Sequence, residues 1–263
     1  MQLYQQLADY FTARGSVIVA LSGGVDSAVL AVVAHRTLGQ AMIAITGDSP
    51  SVPARDRVGS SEFCRRYAIP HRLVPTQEFS DPQYRANAGD RCFFCKQELF
   101  RCLEVVRQSE GLAWIAEGTN LSDLGGHRPG MRAKAAAPTV IAPYLDLGID
   151  KAGVRAIARH LELDVAEKPA SACLASRIPV GTPVEASVLR QVDAAEDQLR
   201  NLGLAQVRVR HHGALARIEV PREDFTQCLA VQAEIVTRLR ALGFQHVTLD
   251  LQGYRTGGGI HRG

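Results

Sequence analysis

The chain has 263 residues, with 30 basic and 27 acidic side chains and a net charge of +3. At ~150 residues per domain this makes one large or two modest domains, and a hydrophobic content of 46% fills an ordinary core. The small net charge gives no case for a nucleic-acid partner. No stretch approaches the ~18–20 apolar residues of a membrane span, and no basic-then-apolar leader opens the chain. Six cysteines without a secretion signal fit a reducing cytoplasm, where they serve as thiols or metal ligands rather than disulfides.

Residues 1–14 pattern as a short amphipathic helix, with Leu3, Leu7 and Tyr10–Phe11 on one side. Val17-Ile-Val-Ala-Leu21 then reads as a buried strand running into Ser22-Gly23-Gly24-Val25-Asp26-Ser27. An Ala/Val/Leu-rich helix follows from Ala28 to Leu38, with Gly39 placed to stop it. Strand, glycine turn and helix N-terminus together build an anion site, because glycine lets backbone N–H groups approach and the helix start adds partial positive charge. The GK[ST] ending of a Walker loop is missing. Further strands are expected near 41–46, 71–74, 112–116 and 139–142, and helices near 54–67, 93–108 and 150–162. Such alternation implies an α/β fold, a parallel sheet with helices on both faces. The loops Ser22–Ser27, Thr46–Ser49 and Glu117–Asn120 fall at the carboxyl ends of its strands, where ligands sit.

The pattern changes after about residue 165. Residues 168–182, with Cys173 among prolines, read as an ordered, functional linker between a first domain over 1–167 and a smaller α+β domain over 183–263. Thr182-Pro183-Val184-Glu185 resembles a capping box opening a helix to about Asn201. Strands near 205–210 and 214–220 join around His212-Gly213. A helix over 222–242, a strand over 246–251 and a mobile Gly257-Gly-Gly tail complete the chain. Period-two alternation puts Arg208, Arg210 and Arg217 on one face of the hairpin, a good anion site or else a plain solvated strand face.

Cys64, Cys102 and Cys228 lie on apolar helix stripes and read as core. Cys92 and Cys95 form a single CxxC in a polar lead-in, which serves as a structural pair, a redox pair or metal ligands; there is no second CxxC to complete a four-ligand zinc site. Cys173 lies between Lys168 and Arg177, basic neighbours that favour the thiolate.

The loop Ser22–Ser27 resembles the SGGxDS loop of the PP-loop ATP pyrophosphatases at all six positions. With Thr46-Gly-Asp-Ser-Pro-Ser51, Arg91-Cys-Phe-Phe-Cys-Lys96, Glu117-Gly-Thr-Asn120, His127-Arg-Pro-Gly130, Cys173-Leu-Ala-Ser-Arg177 and Val207-Arg-Val-Arg210, the chain is similar over nearly its whole length to the LarE family. These are ATP-dependent sulfur transferases of nickel-pincer nucleotide biosynthesis. The resemblance implies ATP cleaved to AMP and pyrophosphate with Mg²⁺, and held by Ser22, Gly23, Gly24, Asp26, Ser27, Thr46, Ser49, Gly118, Thr119 and Asn120. It implies catalytic roles for Asp26 and Cys173, and a nucleotide substrate held by Ser176, Arg177, Glu196, Arg208 and Arg210; Glu196 alternatively reads as a surface residue of its helix. A [4Fe–4S] cluster on Cys92, Cys95 and Cys173 is expected, with Cys173 as a sacrificial sulfur donor the rival. A homo-oligomer, a sulfur donor and cluster-assembly proteins are the implied partners. Family members often carry an acidic residue where Met131–Pro138 has none. The competing functions are a tRNA-thiolating PP-loop enzyme, an amide-forming ligase and a non-catalytic nucleotide-binding module.

Overall fold

The computed structural model describes residues 1–124, 130–169 and 171–255. In chain order the first elements are α1 (Gln2–Arg14), β1 (Val17–Ala20), α2 (Val25–Leu38), β2 (Met42–Asp48), α3 (Ala54–Arg66) and β3 (His71–Pro75). Next come α4 (Pro82–Ala86), α5 (Arg91–Ser109), β4 (Trp114–Ala116), α6 (Gly130–Ala135), β5 (Val140–Ile141), α7 (Pro143–Asp146) and α8 (Lys151–His160). The series closes with α9 (Ala186–Arg200), β6 (Arg208–His212), β7 (Leu215–Glu219), α10 (Phe225–Ala230), α11 (Gln232–Ala241) and β8 (His246–Leu249). The chain divides into two compact units, one of Met1–Asp81 with Asp90–Ser171, the other of Pro82–Gly89 with Ala172–Gly263.

The first unit is a five-stranded parallel sheet in the order β3-β2-β1-β4-β5. Its inner strands are apolar on both faces, as a parallel sheet under helices on both sides requires, while the edge strand β3 is partly exposed. Along β1, Val17 and Val19 join one core with α2, while Ile18 joins the other with Phe100 and Leu103 of α5. The same alternation appears in β2, where Ala44 and Ile45 divide between the two cores. Fully burying each such valine or isoleucine contributes roughly 1.5–3 kcal/mol. Helix α2 is buried nearly all round because it packs against β1, β2, α1 and α8 together. That packing holds its N-terminus firmly at the end of β1.

In the second unit β6 and β7 pair antiparallel and β8 joins β7 in parallel. Val207, Val209, Ala216, Ile218 and Val220 face a core with α9 and α11. The opposite face carries Arg208, Arg210, Arg217 and Glu219, with Arg208 directly across from Glu219 and Arg210 from Arg217.

Three local expectations are corrected. The expected helix over 222–242 is a 3₁₀ turn (Arg222–Asp224) followed by two helices that break at Val231. Cys228, Ile235 and Leu239 are all buried, so the apolar stripe runs on across the break and leaves no trace of it in the periodicity. The segment Thr182–Glu185 is not a capping box. Helix α9 begins at Ala186 without a side-chain cap, and the buried Asn87 holds the preceding turn by donating to the carbonyls of Pro179 and Thr182 at 2.8 and 3.0 Å. This contact, with Val184 N–H bonded to the Arg85 carbonyl at 2.8 Å, also ties residues 82–89 to the second unit. Strand β6 lies two to three residues later than 205–210. The motif residues His127–Pro129 and the Gly257-Gly-Gly tail lie outside the described residues.

Candidate active site

In the first unit the turn Leu21–Gly24 leads directly into α2, with extended Gly24 as its N-cap. Gly23 has φ +76°, and a Cβ there would lie 2.9 Å from the Ser60 hydroxyl, so only glycine makes this turn without strain. Ser27 Oγ accepts the Ser22 N–H at 3.1 Å and donates to the Gly24 carbonyl at 3.2 Å. The loop is thereby closed on itself, leaving the dipole end of α2 available to an anion.

Asp26 is the hub of this end of the sheet. Its Oδ1 accepts from Asn120 Nδ2 at 3.0 Å and its Oδ2 from Lys151 Nζ at 2.5 Å, while the buried Tyr144 hydroxyl donates to its backbone carbonyl at 2.8 Å. The 117–120 loop reaches it because residue 118 is glycine: a Cβ there would lie 3.1 Å from Asp26 Cβ and 3.2 Å from Ser27 N. Thr119 and Lys96 both donate to the buried Glu117 carboxylate, at 2.8 and 2.7 Å. The CxxC-bearing start of α5 is thus tied to the same loop. Lys168 Nζ donates to the Gly23 carbonyl at 2.9 Å, and Ser171 to the buried Asp56 at 2.6 Å.

Thr46 and Ser49 at the end of β2 are turned to their own framework. Thr46 donates to the Leu21 carbonyl at 2.8 Å and lies 3.0 Å from His71 Nε2. Ser49 donates to Glu78 and accepts the Ser51 N–H. Burial pulls the His71 pKa below the ordinary imidazole value, which keeps the ring neutral beside Thr46.

Cys92 is exposed and Cys95 half-buried on the first two turns of α5; Cys173, half-buried, caps the 3₁₀ turn Leu174–Arg177 of the second unit. The other three cysteines are buried, and burial pushes Cys64 to about 12, Cys102 to about 11 and Cys228 upward. Within neither unit do three His, Cys, Asp or Glu side chains gather as a metal site among the described residues.

In the second unit the Cys173 turn is strapped from three sides. Ser176 Oγ donates back to the Cys173 carbonyl at 2.8 Å, and Arg177 Nη1 donates to the carbonyls of Ala172 and Cys173 at 2.7 and 3.0 Å. Arg210 Nη1 donates to the Ser176 carbonyl at 2.6 Å. Glu196 is fully buried, which excludes the surface alternative for this residue. Its carboxylate takes Arg177 at 2.8 Å, Arg200 at 2.7 Å and the Val209 N–H at 3.2 Å. Burial alone would lower the Arg177 pKa, but the adjacent Glu196 outweighs it and holds it above its ordinary value.

The arginine face is likewise not solvated: Arg208 is 5% and Arg210 3% exposed. Arg210 grips Glu219 through two bonds at 2.9 and 3.0 Å, and Arg217 adds a third at 3.2 Å. Arg208 differs. Glu219 lies opposite it but gives its oxygens to the other two arginines, and Arg208 meets no carboxylate among the described residues. Its Nη1 donates to the Arg255 carbonyl at 3.2 Å, and its guanidinium lies 4.4 Å from the Tyr254 ring centre. Burial pulls its pKa below the ordinary guanidinium value; Tyr254 and Glu219 oppose that pull, while the Arg177 and Arg210 charges add to it. A buried guanidinium whose own donors meet no carboxylate is a site for an anion.

No family model matches the chain. It is 39% identical over 255 residues to an uncharacterized protein, slr1717, of Synechocystis, covering 96% of this chain and 95% of that one. It is 32% identical over 248 residues to the pyridinium-3,5-bisthiocarboxylic acid mononucleotide synthase of Lactiplantibacillus plantarum, covering 92% and 87% of the two chains. The chain belongs to the LarE family. It is therefore an ATP-dependent sulfur-transferring enzyme of the PP-loop superfamily. A tRNA-specific 2-thiouridylase of Caulobacter vibrioides is a more distant relative, 28% identical over 59% of this chain and 50% of that one. LarE membership and the five-stranded parallel sheet agree on the PP-loop fold. Sequence reasoning missed Lys151, Tyr144 and Asp56, and read Lys168 only as a neighbour of Cys173, whereas it donates to the Gly23 carbonyl. Only Lys151 left a signal, because a lysine in the first turn of α8 opposes the helix dipole and so implies an acidic partner elsewhere.

Proposed function

We propose that this enzyme converts a carboxylate of pyridinium-3,5-biscarboxylic acid mononucleotide into a thiocarboxylate, making a precursor of a nickel-pincer nucleotide. One observation carries the substrate reading: in a chain with a PP-loop, the second unit buries the Arg208 guanidinium without a carboxylate partner. A phosphate- and carboxylate-bearing nucleotide supplies the missing charge. The same reading gives Arg177, Arg210, Glu196 and Ser176 the task of framing that site and the Cys173 turn.

A substrate carboxylate oxygen attacks the α-phosphorus of ATP, the bond from that phosphorus to the bridging oxygen breaks, and pyrophosphate leaves. The mixed anhydride is then a good electrophile where the carboxylate was a poor one. Sulfur attacks the acyl carbon, the carbon–oxygen bond to the adenylate breaks, and AMP leaves. The backbone N–H groups of Gly23, Gly24 and the start of α2 receive the β,γ-phosphates. Asp26, Ser22 and Ser27 would offer the oxygen ligands that Mg²⁺ prefers, with Lys151 holding the Asp26 carboxylate in place. Gly118, Thr119 and Asn120 close the nucleotide site around Asp26, with Thr46 and Ser49 holding the end of β2 beside it.

Cys92, Cys95 and Cys173 fit the donor set of a [4Fe–4S] cluster better than the other cysteines do. Thiolates are the binding form, and burial keeps Cys64, Cys102 and Cys228 protonated. Held there by three thiolates, a cluster would present hydrosulfide drawn from an external sulfide source as the nucleophilic sulfur. The exposure of Cys92 argues against a merely structural pair.

Incubation of anaerobically prepared protein with ATP, Mg²⁺, sulfide and the biscarboxylate mononucleotide is expected to release AMP and pyrophosphate and to yield the thiocarboxylate by mass spectrometry. ADP as the main product overturns the reading. Asp26→Ala should abolish adenylation while the circular dichroism spectrum stays that of the native fold.

A further inference from the structure

The Arg208 guanidinium is buried, charged and without a carboxylate, yet it is held in one place. The means is the segment after β8. Gly253, with φ +74°, turns the chain back; a Cβ there would lie 3.2 Å from the Val220 carbonyl and 3.1 Å from Arg222 Cγ. The turn is closed by Gly253 N–H to the Asp250 carbonyl at 3.0 Å and anchored by Tyr254 N–H to the Val220 carbonyl at 2.8 Å. Tyr254 is thereby seated with its ring 4.4 Å from the Arg208 guanidinium carbon, and the next carbonyl, of Arg255, accepts from the same guanidinium at 3.2 Å. One ring face and one carbonyl therefore hold a fork that has five N–H donors. A cation over an aromatic face is attracted by the ring quadrupole, more strongly when both are removed from water. The remaining donors are left for a ligand.

We propose that Tyr254 is a positioning residue for the substrate: its ring seats the Arg208 guanidinium so that the unused donors meet an anionic group of the pyridinium nucleotide. This rests on the substrate reading given above. The ring, not the hydroxyl, does the seating, and Tyr254 acts through Arg208. A tyrosine whose role was only to pack the end of the second unit would show neither property.

The test compares binding of the biscarboxylate mononucleotide and of ATP by calorimetric titration, with melting temperatures recorded for every variant. Tyr254→Leu is expected to weaken nucleotide binding about five- to thirtyfold and leave ATP binding unchanged. Tyr254→Phe should bind as the native protein does. Combined with Arg208→Ala, Tyr254→Leu should add nothing further, since the interaction it removes is already absent. Should the leucine variant fail to fold, progressively fluorinated phenylalanines at position 254 replace it, and affinity is expected to fall with each fluorine as the ring quadrupole weakens.

Leucine binding like tyrosine, or fluorination without effect, overturns the proposal. So does a phenylalanine variant as weak as leucine, which would move the role to the hydroxyl, and so does full additivity with Arg208→Ala. Normal nucleotide binding by Arg208→Ala alone is a separate failure, and it would overturn the substrate reading itself.

Discussion

Arg208 and Arg210 share a strand face two residues apart, and the sequence treats them as equivalent. Their surroundings make them opposites. Arg210 already spends its fork on Glu219 and the Ser176 carbonyl. Removing it leaves a buried carboxylate with only Arg217, and losing one partner of a buried pair costs about 3–5 kcal/mol. Arg208→Ala leaves no buried acid stranded. We therefore expect denaturant unfolding to show a large loss for Arg210→Ala and a change of at most about 1 kcal/mol for Arg208→Ala. Nucleotide affinity should show the reverse clarity. Arg208→Ala removes a charge-assisted contact of roughly 1.5–3 kcal/mol, about one to two decades at ~1.4 kcal/mol each, with ATP binding intact. Lysine at position 208 should recover part of the loss, keeping the charge without the planar fork. Equal destabilisation by both alanine variants would contradict this account.

Helix α5 joins chemistry to stability within one element. Its first two turns carry Cys92, Cys95 and Lys96, and its later turns carry two i,i+3 pairs, Glu98–Arg101 and Glu104–Arg107. The hydrogen-bonded Arg101 guanidinium holds the Glu98 carboxyl at about 2, and Arg107 does the same for Glu104. Unfolded glutamates titrate near ~4.3, so these folded values are depressed. Their stabilising contribution is then full above about pH 4.5 and is lost as the pH falls toward about 2. The urea midpoint of the protein should accordingly drop between pH 5 and pH 3. Arg107→Leu, which removes the main cause of the Glu104 depression, should show a smaller drop over the same interval; an unchanged drop would rule out this source. The sequence displays the i,i+3 spacing plainly, because helix neighbours are sequence neighbours. The tie from Lys96 to Glu117 was not legible there, since it joins the helix to a loop 21 residues away at the carboxyl end of β4.

At the scale of the whole molecule, the proposed cluster asks that cysteines far apart in sequence act as one set. Anaerobically prepared protein should show broad brown absorbance that is lost alike in Cys92→Ala, Cys95→Ala and Cys173→Ala. Cys64→Ala, Cys102→Ala and Cys228→Ala should retain it, because those thiols are buried and protonated. Full iron content and activity in Cys92→Ala would eliminate the three-thiolate set, and progressive conversion of Cys173 to dehydroalanine during turnover would assign the sulfur to that residue.

Local pattern was enough for a great deal of this protein. The β-branched run before Ser22–Ser27, the glycine at 23 and the two-residue alternation of Arg208 and Arg210 each express a geometry set by neighbouring residues. They suffice for the parallel sheet, the phosphate loop, the buried cysteines and the strand face. Charge compensation is different in kind. Lys151 reaches Asp26 from 125 residues away, and Lys168 reaches Gly23 from 145. Glu196 accepts from Arg177, Arg200 and Val209, while Glu219 chooses Arg210 and Arg217 over the Arg208 that faces it. A carboxylate has few lone pairs, and in the interior each must be matched by a donor from whichever segment the fold brings near. That competition is settled only once the chain has closed, so the tertiary structure alone decided which arginine was left with a charge to offer.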